Sequence, residues 1–205
     1  MAISYPLSLP THTGIAQVEF RTTNAVAYSR SPFTFAGQAH AYAGQMWAAD
    51  VSLPPMHRAD AERWVAWLIS LKGQLGTFYL GDPLGASSRG LASTFLGTPV
   101  ITNQAGGTIS VTGASASKTG WLLAGDYIQI GTGSSATLHK VLQDANTNAG
   151  GSASLEVWPH VRGTRSGSIA ASDAVGNFRL SSNETSWSVN NASIYGISFS
   201  AMEAV

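Results

Sequence analysis

Short β-type runs dominate the hydrophobic and polar pattern of this chain. Three of them, at residues 125–130, 138–142 and 155–159, are separated by turn-rich linkers in a segment without a convincing helical period. The predicted strands between residues 107 and 173 are 108–111, 127–130, 138–142, 154–157 and 168–170. Five short strands with Gly-rich connections fit a small barrel of the OB type, and periodicity alone leaves a sandwich open.

The N-terminal part predicts a different β unit. Residues 16–20 alternate apolar and polar positions with the period of two expected of a half-buried strand. Further extended runs, interrupted by Gly37 and Gly44, are 24–29, 33–35, 38–42 and 45–51. Residues 1–53 therefore predict a meander of antiparallel strands.

Residues 59–72 carry the strongest helical pattern. The apolar positions on one face are Ala61, Trp64, Val65, Trp67, Leu68 and Leu71. Gly73 stands where a C-terminal glycine belongs, and the N-cap is Asp60 or a residue slightly earlier. For Trp64 and Trp67 we expect core packing against the meander rather than a ligand platform.

The pattern of the first part returns near the C-terminus. A strand at residues 75–80 and a turn at 81–85 close the first part, and residues 86–105 show little pattern. Strands are predicted again at 177–180, 186–189 and 193–201. The simplest partner for the last of them is the N-terminal meander.

These patterns predict a mainly β protein with two domains. Residues 1–85 and 177–205 would form a β-sandwich or barrel domain with one α-helix at about 59–72. Residues 86–176 would form an inserted small β-barrel of the OB type.

The composition narrows the function classes. The 205 residues carry 11 Lys and Arg against 11 Asp and Glu, and only 11% are charged, under half of the usual ~25%. Either a subunit covered by neighbours or a surface rich in neutral polar residues explains this value. The neutral balance argues against specific nucleic-acid binding, and the absence of cysteine excludes disulfides and thiolate zinc sites.

The expected location follows from two absences. No apolar stretch approaches the ~18–20 residues of a membrane span, so we expect no membrane insertion. The first residues lack the basic and then apolar layout of a signal peptide, so we expect synthesis in a cytoplasm.

Candidate catalytic and metal motifs are weak. Residues 131–136 match Gly-x-Gly-x-x-Ala, but a strand follows where a phosphate loop needs a helix, so a hairpin turn is predicted. Residues 144–150 are similar to the start of a calcium loop, but the glycine is one place late, so a polar loop is predicted. The histidines lack paired ligand spacing, namely His12, His40, His57, His139 and His160. We predict neither an enzyme nor a bound cofactor or metal.

The order of the short motifs gives a resemblance. The motifs are WAADVSLPP at residues 47–55, the helix at 59–71, GTFYLGDP at 76–83, AGDYIQI at 124–130, LHKVLQD at 138–144, LEVWP at 155–159, FRL at 178–180 and YGISF at 195–199. This order resembles the distal tail proteins of long-tailed phages and prophages of Gram-negative bacteria, over about residues 5–203.

The resemblance implies a structural virion protein of the tail tip. Distal tail proteins form a hexameric ring between the tail tube and the baseplate hub. Their N-terminal β domain with its helix surrounds a channel through which DNA and the tape-measure protein pass, and the second domain lies outside. A polar or acidic channel wall would let DNA slide without specific binding. The family has no catalytic residues to transfer.

Two sets of aromatic residues are candidate binding sites. Ring formation buries aromatic residues and strand edges, and the ring-interface candidates are Phe33, Phe35, Tyr42 and Trp47, with ordinary core packing as the alternative for each. The second hypothesis is a carbohydrate-binding or host-adhesion module. It needs an exposed aromatic platform, for which Trp121 and Trp158 are the candidates.

Overall fold

The computed structural model describes residues 3–11 and 14–205. This part of the chain is mainly β with a single α-helix, α1 (Arg58–Ser70), and two 3-10 turns at Leu91–Ser93 and Gly133–Ser135. The strands are β1 (Gln17–Arg30), β2 (Gly37–Ser52), β3 (Met56–His57), β4 (Phe78–Leu80), β5 (Gly97–Ala114), β6 (Tyr127–Ile130), β7 (Thr137–Val141), β8 (Ala153–Ala170), β9 (Gly176–Leu180), β10 (Trp187–Val189) and β11 (Ile194–Glu203). Within the described ranges, α1 lacks the length and apolar character that crossing a bilayer requires.

Strands from both ends of the chain form the first sheet. Its order is β1-β2-β11-β9-β4, and β3 and β10 pair with the beginning of β11. Neighbouring strands are antiparallel, with Ala201 of β11 opposite Ala49 of β2. The predicted pairing of the last strand with the N-terminal strands is therefore confirmed.

The helix packs its apolar face into the core of this sheet. Trp64 and Trp67 are buried, and the Trp67 ring lies 5.0 Å from the ring of Phe78. The predicted packing role of both tryptophans is confirmed. The helix begins one residue earlier than predicted, with His57 as an N-cap that makes no side-chain hydrogen bond. Gly73 has a φ of +67°, as a C-terminal glycine should.

The second sheet contains strands from the middle of the chain, in the order β5-β8-β6-β7. Strand β8 pairs with β5, β6 and β7, so the sheet curls back on itself like part of a barrel. The chain leaves the first sheet after β4 and returns to it at β9, which is the neighbour of β4. How far the inserted segment forms an independent domain stays a prediction.

The number and length of these strands differ from the expectation. The predicted strands 154–157 and 168–170 are the two ends of the single strand β8, so the sheet has four strands rather than five within the described chain. Strand β5 includes part of the stretch 86–105, in which the sequence shows little pattern. The alternation is lost there because the register with β8 shifts three times between Ile101 and Thr108. Such bulges break the period of two on which the prediction depended.

The predicted meander is also longer in each element. Strands β1 and β2 form one hairpin that merges four predicted strands, and the predicted strand 33–35 lies in its turn. Gly44 lies inside β2 rather than at a strand end. A glycine suits this position because a Cβ there would come within 3.0 Å of the Cβ of Ala25.

Two apolar cores hold the molecule together. One lies between the first sheet and α1, and the other lies inside the second sheet. Tyr127 and Leu138 belong to strands of the second sheet but are buried in the first core. The two sheets therefore pack directly against each other.

Candidate functional site

The hairpin β1–β2 projects from the first sheet as an arm, defined here as residues 21–44. Every residue of the arm is exposed except the half-buried Ser31. The two strands pair with each other along the arm, with a register shift between Asn24 and Val26. An isolated two-stranded ribbon without a core is at best marginally stable in water, so the arm depends on its continuity with the strands of the first sheet.

The turn of the arm, residues 31–36, is held by its own hydrogen bonds and is called the tip. Ser31 N–H donates to the Ala36 carbonyl, and Phe35 N–H donates to the Ser31 carbonyl over 3.0 Å. The Ser31 hydroxyl accepts from Phe33 N–H at 3.3 Å. The tip is therefore an ordered turn that presents its side chains to solvent.

Two phenylalanines occupy this tip without covering each other. Phe33 is 92% exposed and Phe35 is 65% exposed. The Arg30 guanidinium lies 4.5 Å from the centre of the Phe35 ring, which is a cation–π contact. Exposed aromatic rings at the end of a projecting hairpin are typical of a surface that binds another molecule.

Tyrosines continue the aromatic surface along both faces of the arm. Val26 and Tyr28 pair with Ala41 and Ala39, which places these four side chains on one face. On the other face the ring of Tyr42 lies 4.7 Å from that of His40. Both faces are therefore apolar enough to be covered.

The arm starts from a polar junction between the two sheets. Trp158 of β8 donates its indole N–H to Asn24 Oδ1 at 2.8 Å, and His160 donates its backbone N–H to Gln45 Oε1 at 2.7 Å. Asn24 and Gln45 are the cross-strand pair at the base of the arm. The second sheet therefore fixes the direction in which the arm projects.

An ion pair completes this junction. Arg162 of β8 donates two N–H groups to the Glu203 carboxylate, each over 2.8 Å, and it also contacts the Gln45 carbonyl. The Glu203 side chain is only 2% exposed and also accepts the Trp47 backbone N–H. A carboxylate buried to this degree needs its cation, so Arg162 couples β8, β2 and β11.

His139 lies next to this ion pair in the interior. Its Nδ1 lies 2.6 Å from the Pro159 carbonyl and its Nε2 lies 2.9 Å from the Thr137 hydroxyl. Because a carbonyl only accepts, Nδ1 carries the proton and Nε2 accepts. Burial lowers the pKa of His139 to about 4, so the imidazole is neutral at physiological pH.

A depression of about 410 Å³ opens at the foot of the arm and is called the base pocket. The residues that line it include Thr23, Ala25, Ala43, Gly44, Met46 and Arg162. The register jumps from Asn24 opposite Gln45 to Val26 opposite Ala41, so Ala25 faces an irregular stretch of β2. Small side chains at this bulge leave the space unfilled.

The structure separates the predicted ring-interface residues. Phe33, Phe35 and Tyr42 are exposed on the arm. Trp47 is only 2% exposed, because its indole is packed in the first core and donates to the Leu138 carbonyl at 2.9 Å. Trp47 is therefore a core residue under the base of the arm and is not accessible to a binding partner.

The predicted ligand platform is not assembled. Trp121 is fully buried in the second core, where its indole donates to the Phe95 carbonyl. Trp158 is half-buried, with its ring 4.6 Å from that of Trp47 at an edge-to-face angle. The two tryptophans belong to different cores, so they form no common aromatic face.

Several residues of the site were absent from the sequence-based candidates. Tyr28 and Val26 lie in a predicted strand whose exposure no local pattern reveals. Arg162 has only Arg165 as a basic neighbour in the sequence, and Glu203 contacts it from 41 positions away. A pairing over that separation gives no signal in a single sequence.

The remaining motifs fit their structural interpretations. Residues 131–136 join β6 to β7 through a 3-10 turn, and residues 144–150 lie in the connection between β7 and β8. Among the described residues, no three His, Asp or Glu side chains are grouped as metal ligands. His12 lies outside the described residues.

No protein-family model matches this chain, and a search of the curated proteins gives no match.

Proposed function

We propose that this chain is a ring-forming structural protein of a phage tail tip. Copies of it, six in the ring of the proteins that it resembles, would join the tail tube to the baseplate hub. DNA and the tape-measure protein would pass through the ring without specific binding. The protein would assemble in the host cytoplasm and remain in the virion.

The observation that carries this proposal is the arm. Residues 21–44 contribute no fully buried side chain, and residues 25–44 lie beyond the Asn24–Gln45 pair at the base of the arm. The arm includes the exposed aromatic residues Tyr28, Phe33, Phe35 and Tyr42. A two-stranded ribbon gains stability only when another surface covers it, and a neighbouring subunit is such a surface.

Charge supports the same function. The chain is neutral, and its arm carries no carboxylate and only two formally charged residues, Arg21 and Arg30. Specific DNA binding depends on many clustered cations, so a neutral ring subunit suits passage of DNA without binding. The low charge also suits a subunit whose faces are covered by neighbours.

The alternative is a carbohydrate-binding module at the tail tip. Its main expected feature was a platform made of Trp121 and Trp158, and the burial of Trp121 removes half of it. The half-buried Trp158 makes its contacts within the junction of the arm. The structure therefore gives this alternative less support than the ring.

The test is co-assembly of the protein with tail-tube protein from the same phage or prophage. The two purified proteins are mixed and imaged by negative stain, with a control that lacks residues 25–44. Rings or caps on tube ends, absent in the control, support the proposal. If neither protein associates with tubes, and a glycan array captures the full chain, the carbohydrate-binding alternative replaces the ring.

A further inference from the structure

The arm carries a protruding feature at one end and a recess at the other. Phe33 and Phe35 protrude from the tip, and the base pocket lies where the arm leaves the sheet. Five residues of β1, 26–30, separate the pocket residue Ala25 from the tip, or roughly 20 Å at the rise of a β-strand. An arm that folded back on its own sheet would need a sharp bend, so the two features suit contact between different copies.

The base pocket has the lining that an aromatic side chain requires. Ala25, Ala43 and Gly44 form small walls, and Met46 supplies a long, adaptable apolar side chain. The cation at its rim, Arg162, is already neutralised by Glu203. An apolar ring can therefore enter without leaving a charge unpaired.

Charges at the two ends of the arm are complementary. At the foot, Glu19 lies directly opposite Asp50, which is an unfavourable pairing of like charges. Arg21 bonds Asp50 at 2.5 Å, and within the described residues Glu19 makes no ion pair. Next to the tip, Arg30 at the end of β1 is the only formally charged residue among residues 22–44. The foot therefore has an excess negative charge and the tip an excess positive charge.

The charged foot and the base pocket share one face of the hairpin. Glu19 and Thr23 are four residues apart on β1, and they pair with Asp50 and Met46 of β2. Side chains that differ by an even number of positions point to the same side of a strand. A tip that enters the pocket therefore brings Arg30 toward a neighbour's Glu19.

The tip alone offers a limited contact area. An aromatic side chain buries roughly 150–250 Å², so covering the exposed parts of Phe33 and Phe35 buries on the order of 300 Å², or about 600 Å² with an equal area on the partner. A specific interface needs about 1,000 Å², so the neighbour must also cover part of the arm beside the tip, where Tyr28 is exposed on one face.

We infer that the tip of one copy docks into the base pocket of the next copy, with Arg30 beside that neighbour's Glu19. This inference rests on the proposed function and names the contact that would close the ring. The tip and the pocket are different surfaces, so each copy can engage one neighbour with its tip and another with its pocket. Repetition of this heterologous contact gives a ring when the rotation between copies closes, whereas a two-fold dimer would require two copies to exchange tips reciprocally.

Another apolar cleft, of about 480 Å³, competes for the tip and serves as a control. It lies near the helix and is lined by residues that include Leu9, Ile15, Trp64 and Ala86. Its lining also includes Asp82 and Asp173, which make no ion pair within the described residues, so it is a serious competitor for a cationic tip. The base pocket is preferred because its small side chains lie on the hairpin itself, on the same face as Glu19, and the cross-linking experiment below distinguishes the two.

Engineered cysteines test the contact directly, because the natural chain has none. A Thr34→Cys chain, which keeps both phenylalanines of the tip, is mixed with an Ala43→Cys chain under conditions in which the wild type assembles, and the mixture is then oxidised mildly. We expect a disulfide-linked pair containing one chain of each kind. Two control mixtures are used. In the first, Leu84→Cys takes the place of the tip variant, because Leu84 is 98% exposed but lies outside the arm. In the second, Ala86→Cys in the other cleft takes the place of the pocket variant.

A complementation experiment tests direction. The tip variant Phe33→Ser/Phe35→Ser and the pocket variant Ala43→Lys change exposed positions, so both should fold. Each alone should associate at least about tenfold more weakly than the wild type, because aromatic anchors dominate interface energies. Mixed together they retain one intact tip and one intact pocket, so the expected product is a one-to-one dimer that grows no further.

The outcomes separate the inference from the proposed function. Wild-type assembly combined with cross-linking of Thr34→Cys only to itself, or to Ala86→Cys, overturns the docking inference and leaves the ring proposal standing. Wild-type assembly that is unaffected by the tip and pocket variants does the same and favours pairing through the free edge of β1. A wild type that fails to assemble, with or without tail-tube protein, overturns both.

Discussion

At the scale of single residues, the Arg162–Glu203 ion pair determines how the arm is attached. We expect Arg162→Met to lower the free energy of unfolding by about 3 kcal/mol, because it leaves a buried carboxylate without its cation. The matched control is Arg58→Met, which removes an exposed Arg–Glu pair within α1 and should change stability by less than about 0.5 kcal/mol. Urea denaturation measures both changes, and equal effects of the two variants would contradict the assigned role.

His139 gives a prediction about pH. Its pKa is about 4 in the folded protein and near 6.5 when exposed, so the unfolded chain binds the additional proton between these values. Stability is therefore complete above pH 6.5 and decreases as the pH falls toward 4. From pH 7 to 5 the loss due to His139 should be about 2 kcal/mol.

The variants His139→Gln and His40→Gln check this assignment by denaturation at pH 7 and 5. The glutamine at position 139 does not titrate, so its loss of stability between the two pH values should be smaller than that of the wild type. His40 is exposed on the arm, and its replacement should leave the pH dependence unchanged. An unchanged dependence in His139→Gln would show that other groups cause the acid sensitivity.

The aromatic residues show how far a sequence determines a site. Trp64 and Trp67 were assigned to the core because a helical period places them on one face. Trp47, Trp121 and Trp158 lie in or beside strands, where a large aromatic residue has the same local pattern whether a second sheet covers it or not. Their burial depends on contacts between the two sheets, which a local pattern does not contain.

At the scale of elements, the arm should be the least protected part of the free protein. Its backbone hydrogen bonds are formed but are exposed to solvent, so we expect its amide hydrogens to exchange rapidly in a dilute monomer. The same amides should become protected in the assembled protein. Strand β11, which is paired on both sides, is the internal control, and arm amides as slow as those of β11 in the monomer would contradict the account.

Shortening the arm should separate folding from assembly. Residues 25–44 are replaced by Asn-Gly, because Asn24 and Gln45 are directly opposite and a two-residue turn can join them. No fully buried side chain is removed, so the free energy of unfolding should change by less than about 1 kcal/mol. Self-association should be lost, as measured by sedimentation. A shortened protein that does not fold would show that the arm belongs to the core.

The elements themselves were partly predictable. The helix and the mainly β class were predictable from the spacing of apolar residues and from the glycines and prolines between the elements. The predicted strand 193–201 agrees closely with β11. The lengths of β1, β2, β5 and β8 were not found, because glycines and bulges inside these strands break the alternating pattern. An exposed hairpin also lacks the contrast between buried and exposed positions that makes a strand recognisable.

At the scale of the whole molecule, the neutral and weakly charged surface is consistent with the proposed assembly. A monomer with this surface has little charge repulsion to keep it apart from its copies, and its exposed aromatic residues are concentrated on one projecting element. The proposed ring would cover that element, whereas a free monomer leaves it in water.

The most direct test is the absolute mass of the purified protein by light scattering, alone and with its tail-tube neighbour, followed by negative-stain imaging of the same samples. The account predicts closed rings, six-fold in the tail-tip arrangement, either free or on tube ends. A protein that remains a 21.3 kDa monomer in both conditions, even at high concentration, would contradict it.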